Sequence, residues 1–290
     1  MFKKKSRIAL ISTALVALLV LAGCGQAAAP QGGNTSSGTT DKKTITLAGS
    51  TALQPLAQAA AKDFMSKNAG IQVNVSGGGS FTGLNNVTSG SADIGNSDVS
   101  VEGNADFKDK GLVDHLVAVE PFLIITNKDV TIDNLSQAQL TDIFTGKIAN
   151  WKDVGGQDAK ITIIGRSASS GSRATISKVV MDGKDFTSAA TAQDSTGNLI
   201  TAVAQTPGSI GYIDAAYLKD TVKALKYNGV AYSADAVIDG KYPIYAYGHM
   251  YTKGEPTGTV KAYLDYIMSA EFQNANVEKA GFIPVSKVKK

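Results

Sequence analysis

The sequence predicts an α/β protein of two lobes with a ligand cleft between them. Three observations carry that expectation. Short β-rich runs alternate with helical patterns from residue 44 onward, as in a parallel or mixed sheet with helices on both faces. Two β-rich runs, residues 115–127 and 242–252, are longer than the rest, as strands that cross between lobes must be. Three segments of small residues each stand where a strand gives way to a helix.

Taken in order, "TITLAGS" (44–50) is a strand ending in small residues. Leu53, Leu56, Ala60 and Phe64 follow at helical spacing and make an amphipathic helix. "IQVNVSG" (71–77) alternates as a strand, runs into glycines, and leads to another short helical stretch. "ADIGNSD" (92–98) is the edge of a third strand, and "HLVAVEPFLIITN" (115–127) is the first long run. A middle section holds "LSQAQLTDIFTGKIANWKDVGG" (135–156) and the strand "KITIIGR" (160–166). Helices marked by Ile176, Val179 and Val180 and by Leu199, Ile200 and Val203 come next, then the strand "GSIGYID" (208–214). "YPIYAYGHMYT" (242–252) is the second long run, followed by two helices around 260–268 and 270–279. The expected lobes are therefore residues 44–122 with 246–290, discontinuous in sequence, and residues 123–245.

The N-terminal part reads differently. Lys3, Lys4, Lys5 and Arg7 precede an apolar stretch, Ile8 to Ala22, that is short for a membrane span. It ends in Leu21-Ala22-Gly23-Cys24, so residues 1–23 are expected to be a secretory signal cleaved before an acylated Cys24. Cys24 is the only cysteine, which excludes an internal disulfide. Residues 24–43 hold no aromatic or large aliphatic side chain and form a flexible linker between lipid and lobes. Without the four bases of the signal, 24 Lys and Arg face 25 Asp and Glu. The apparent basicity of the whole chain therefore gives no argument for nucleic acid as a partner.

The three small-residue segments are Gly49-Ser50-Thr51, Gly77-Gly78-Gly79-Ser80 and Ser169-Ser170-Gly171-Ser172. A helix start presents unpaired backbone N–H groups and the positive end of the helix dipole, and glycine lets an anion approach them. Arg166 ends an apolar strand beside the third segment, where a guanidinium can grip two oxygens of a tetrahedral oxyanion. Arg173 falls inside the following helix, behind the site or on the surface. Asp98 is the unexpected member, since a carboxylate repels an anion unless the anion brings a proton to donate. Phosphate at neutral pH carries such a proton and sulfate does not, so an Asp98 acceptor selects the first against the second. A serine hydrolase lacks its base: His115 and His249, the two histidines, sit in β-rich runs, and no G-x-S-x-G elbow surrounds Ser80 or Ser170. No His, Cys and Asp cluster suggests a metal, and no cofactor is expected.

With these residues in view, the chain resembles the substrate-binding lipoproteins of phosphate-specific ABC transporters, in the periplasmic-binding-protein-like family. "AGSTALQPLAQAAAKDF", "SGGGSFTGL", "ADIGNSDVS", "LTDIFTGKIANWKDVGG", "IIGRSASSGSR", "TPGSIGYID" and "GFIPVS" carry the resemblance in order. It implies a type II fold of two α/β lobes that close on inorganic phosphate and pass it to ABC transporter permease subunits. No catalytic residue is implied. By position, the phosphate contacts would be Ser50, Thr51, Ala52 through its backbone N–H, Ser80, Asp98, Arg166, Ser170, Gly171 and Ser172. Asp98 would accept the phosphate proton and pair with Arg166. The protein would act as a monomer on the outer face of the cytoplasmic membrane, held by its lipid anchor. The same fold binding another oxyanion, or serving as a phosphate sensor, is the alternative.

Overall fold

The computed structural model describes residues 42–102 and 104–288. The signal segment, Cys24 and nearly all of the expected linker lie outside the described residues.

Every expected element has a counterpart. The first part of the chain gives β1 (Thr44–Gly49), α1 (Gln54–Lys67), β2 (Gln72–Gly78), α2 (Ser80–Ser89), β3 (Ile94–Ser97) and β4 (Leu112–Thr126). The middle adds β5 (Asn134–Leu135), α3 (Gln137–Phe144), β6 (Thr162–Arg166), α4 (Gly171–Val180), β7 (Thr191–Gln193), α5 (Thr196–Gln205) and β8 (Ser209–Asp214). Two short strands, β9 (Lys223–Ala224) and β10 (Lys226–Tyr227), and α6 (Ala234–Ile238) precede β11 (Tyr245–Lys253). The chain then forms α7 (Gly258–Met268) and α8 (Ala270–Phe272), which runs on into a π-helical turn at Gln273–Val277.

One continuous mixed sheet runs β2-β1-β3-β11-β4-β8-β6-β7, with β9 paired to β4. The strand β3 lies inside this order, parallel to β1 on one side and antiparallel to β11 on the other. The two long runs do cross. Up to Pro121, β4 pairs antiparallel with β11, and from Phe122 it pairs antiparallel with β8. Proline has no N–H to give a ladder, and here it stands where the strand exchanges one partner for another.

Two large apolar cores flank this crossing. One gathers Ile45, Leu56, Phe64, Met250, Tyr263 and Phe272 under α1 and α7. The other gathers Phe122, Ile143, Phe144, Trp151, Ile176 and Tyr212. The segment 135–156, the most distinctive in the sequence, builds this second core. Ser136 and Gln139 form a reciprocal capping box at the start of α3, and Leu140, Ile143 and Phe144 turn inward from it. Trp151 is fully buried, and its indole N–H donates to the Gly208 carbonyl at 2.9 Å. That bond joins a turn after α3 to the loop before β8.

Candidate functional site

The three small-residue segments converge, and a fourth helix start joins them. Ser50 is 1 % exposed, and its hydroxyl accepts from the N–H groups of Ala52 and Leu53, tightening the turn into α1. Gly49, with φ at +138°, lies so close to Asn96 on β3 that a Cβ would stand 2.1 Å from the Asn96 carbonyl oxygen. Only glycine fits there. The buried Ser80 opens α2, and its hydroxyl accepts from the Asp98 backbone N–H at 3.0 Å. Ser170 caps α4 by accepting from the Arg173 N–H. Gly171 and Ser172 fill the first two positions of that helix, where N–H groups have no intrahelical acceptor.

These groups meet across the cleft. The Phe81 N–H donates to the Ser169 carbonyl at 3.0 Å, and the Ser169 hydroxyl donates to the Gly78 carbonyl at 3.0 Å. A Cβ on Gly171 would stand 2.2 Å from the Ser80 hydroxyl oxygen. Ser172 donates its hydroxyl to Asp98 Oδ2 at 2.8 Å. The segments around Gly78–Phe81 and Ser169–Ser172 are thus in contact through backbone as well as side chains. Beside Asp98, a cleft of about 630 Å³ opens between Phe81 and His249 on one side and Ala174 and Thr175 on the other.

Arg166 is 2 % exposed, and three of its donors are directed by the protein. Nε donates to the Gln193 carbonyl, Nη1 to the Thr196 hydroxyl and Nη2 to the Asp194 carbonyl. A guanidinium has five N–H groups, so two remain for a ligand. Burial pulls the Arg166 pKa below its usual value, and the nearby Asp98 opposes that shift. The expected pairing of Asp98 with Arg166 is not a direct ion pair among the described residues. Asp98 is held instead by Ser172 and by the Ser80 contact to its backbone, so it and Arg166 approach the site from different elements. Arg173 stands behind Arg166: its Nη1 donates to the Arg166 carbonyl, and its guanidinium lies 4.6 Å from the Phe186 ring centroid.

Three buried residues stand in this region without having been expected there. Thr196 opens α5 at a fourth helix start, bonds Arg166, and meets the Thr51 hydroxyl at 3.1 Å. Its signal was "DSTGN", a small-residue turn after a strand like the other three. Glu120 and Asp214 are fully buried carboxyls near Asp98. Glu120 had a visible signal, an acid in the middle of "VAVEPFLII". The histidines serve structure: His115 meets the Thr252 hydroxyl, and His249 pairs with Asp114 and stacks on Tyr251. No group of His, Cys, Asp and Glu with metal-binding geometry occurs among the described residues.

Known proteins resemble this chain in sequence and fold. A family model described as a PBP superfamily domain matches residues 34–271. The phosphate-binding protein PstS of Bacillus subtilis (strain 168) is 42% identical over 99% of this chain and 96% of its own. A PstS from Borreliella burgdorferi is 28% identical over 84% of this chain and 91% of its own. Among solved structures, one from Clostridium perfringens is described as a phosphate ABC transporter substrate-binding protein with bound phosphate. It aligns with a TM-score of 0.79 at 30% identity, covering 83% of this chain and 99% of that one. An ABC-type phosphate transport receptor from Vibrio cholerae, at 24% identity and a TM-score of 0.68, shares the fold over 82% of this chain and 99% of its own. The two-lobed α/β fold, the converging helix starts and these relatives agree: the chain belongs to the PBP superfamily and, within it, to the family of PstS phosphate-binding proteins.

Proposed function

We propose that this protein captures inorganic phosphate outside the cytoplasmic membrane by closing its lobes, and delivers it to an ABC transporter permease for import. The observation that carries the reading is the meeting of Ser172, Asp98 and the buried Arg166 among four helix starts. Helix starts and a guanidinium supply donors and positive potential for an oxyanion. Asp98 supplies one acceptor, which suits an anion that still carries a proton. The contacts are Ser50, Thr51, the Ala52 N–H, Ser80, Asp98, Arg166, Ser170, Gly171 and Ser172, with Thr196 orienting both Thr51 and Arg166. The lobes that close are residues 44–122 with 246–290 and residues 123–245, a division supported by the two cores on either side of the β4–β11 crossing. Residues 1–23 direct export, and acylated Cys24 tethers the monomer to the membrane. The protein is a carrier and not an enzyme, a reading supported by relatives named as binding proteins.

Titration calorimetry with phosphate and sulfate tests this directly. Tight phosphate binding with little or no sulfate binding is expected, without turnover of phosphate esters. Equal affinity for the two anions would remove the role given to Asp98, and no phosphate binding would remove the whole reading.

A further inference from the structure

Glu120 lies in the middle of β4, fully buried, and neither oxygen of its carboxyl has a hydrogen-bond partner among the described residues. The same holds for Oδ1 of Asp98 and Oδ2 of Asp214. Glu120 feels the charge of both Asp98 and Asp214, the latter at the end of β8, and both repel it. Asp98 follows β3 and Glu120 lies on β4, the two strands that flank β11 around Gly248. Around them stand Tyr217, which feels all three carboxyls, and Gly248 on β11. A Cβ at Gly248 would stand 2.4 Å from Glu120 Oε1 and 2.9 Å from Leu53 Cδ1, so the glycine makes room for the acid.

Charge counting decides the protonation state. Arg166 is the buried cation here, against the three buried carboxyls Asp98, Glu120 and Asp214. Ionised together, they would give the region a net charge of about −2 before any anion entered, and buried unpaired charges cost several kcal/mol each. A pocket built to receive an oxyanion cannot begin there. A proton between Glu120 and Asp98 removes one of these charges and also satisfies two oxygens that otherwise lack a donor.

We propose that Glu120 is a protonated positioning residue whose O–H donates to Asp98 Oδ1, so that Glu120 and Ser172 together hold the Asp98 carboxylate ready to accept a proton from the bound anion. The proposal rests on the phosphate reading and deepens it: the selectivity attributed to Asp98 belongs to a pair. Burial, then repulsion from Asp98 and Asp214, pushes the Glu120 pKa well above the usual carboxyl range. Burial does the same for Asp214, with Asp98 adding to it against the Ala216 N–H. When Glu120 loses its proton at high pH, Asp98 loses a donor and gains a repelling neighbour, and phosphate binding weakens.

Two measurements on the full chain test this. The first is infrared difference spectroscopy at neutral pH without phosphate. The carbonyl band of buried protonated carboxyls should shrink in Glu120→Gln and vanish in the double variant with Asp214→Asn. An unchanged band in Glu120→Gln means that Glu120 is ionised and overturns the proposal. The second is phosphate calorimetry from pH 6 to pH 9. Wild type should lose roughly tenfold more affinity across that range than Glu120→Gln, whose amide keeps a donor but cannot ionise. Glu120→Ala, lacking the donor, should bind about tenfold more weakly at pH 6 and discriminate less against sulfate. Gly248→Ala, which crowds the carboxyl while leaving its chemistry intact, should also weaken binding. Identical pH profiles for wild type and Glu120→Gln overturn the proposal while leaving the phosphate reading standing. Failure of wild type to bind phosphate at all overturns that reading instead.

Discussion

The hydroxyls of Thr51 and Thr196, 145 residues apart in the chain, meet at 3.1 Å across the cleft. The Thr51 hydroxyl also accepts from the Thr196 N–H, and Thr196 in turn accepts from Arg166 Nη1. One side chain thus links the start of α1, the start of α5 and the buried guanidinium.

Replacing Thr196 by valine keeps the shape and removes the hydroxyl. Arg166 Nη1 then loses its protein acceptor, and Thr51 loses the hydroxyl contact while keeping the backbone N–H of residue 196. Hydrogen bonds to charged groups are worth about 1.5–3 kcal/mol, so phosphate affinity should fall roughly ten- to hundredfold. Calorimetry reads this, and an affinity within about twofold of wild type would show that the bridge contributes nothing to closure.

Gly79 caps α2 with φ at +94°, and a Cβ there would stand 2.4 Å from the Ser169 carbonyl oxygen. Gly79→Ala should leave each lobe folded, at a strain of about 1–3 kcal/mol. It should hold the lobes apart and weaken phosphate binding about a hundredfold. Small-angle scattering should then show no compaction on adding phosphate, where wild type compacts.

Trp151→Phe separates stability from binding. The Gly208 carbonyl keeps the Thr162 N–H but loses its indole donor, and the smaller ring leaves a void in the core, together a cost of about 1–3 kcal/mol. For a protein of this size that is a fall of roughly 5 °C in Tm. Phosphate affinity should stay within about threefold, since the hydrogen bonds of Trp151 go to Gly156, Ala159 and Gly208 and not to a site residue. A normal Tm would mean that the Thr162 N–H alone satisfies the carbonyl and that the core closes over the missing ring.

The buried acids set the pH dependence of stability. Glu120 and Asp214 both hold protons more tightly when folded than when unfolded. Above the ordinary carboxyl range the folded state therefore binds more protons than the unfolded chain, and stability falls as pH rises toward their elevated values. Urea unfolding from pH 5 to pH 9 should show this decline. The double variant Glu120→Gln with Asp214→Asn should flatten it, and an equally steep decline there would assign the pH dependence to other groups.

Much of this was legible in the sequence. Hydrophobic alternation and helical spacing placed β1, α1, β4 and β11, because those patterns follow from the periods of strand and helix. The small residues at 49–51, 77–80 and 169–172 marked helix starts, because glycine and hydroxyl side chains are what such turns require. The order of motifs was enough to identify the family. What the sequence could not supply was which side chains would face each other. The resemblance implied a pairing of Asp98 with Arg166, yet the fold gives Asp98 to Ser172 and Arg166 to Thr196 and two carbonyls. Glu120 passed unmarked within a long apolar run, and tertiary packing set it against Gly248 and near Asp98. Local patterns depend on neighbours in the chain, and a sequence displays those directly. The protonation and orientation of a buried acid depend on groups that only the closed fold brings within a few ångströms, and there burial and mutual repulsion decide.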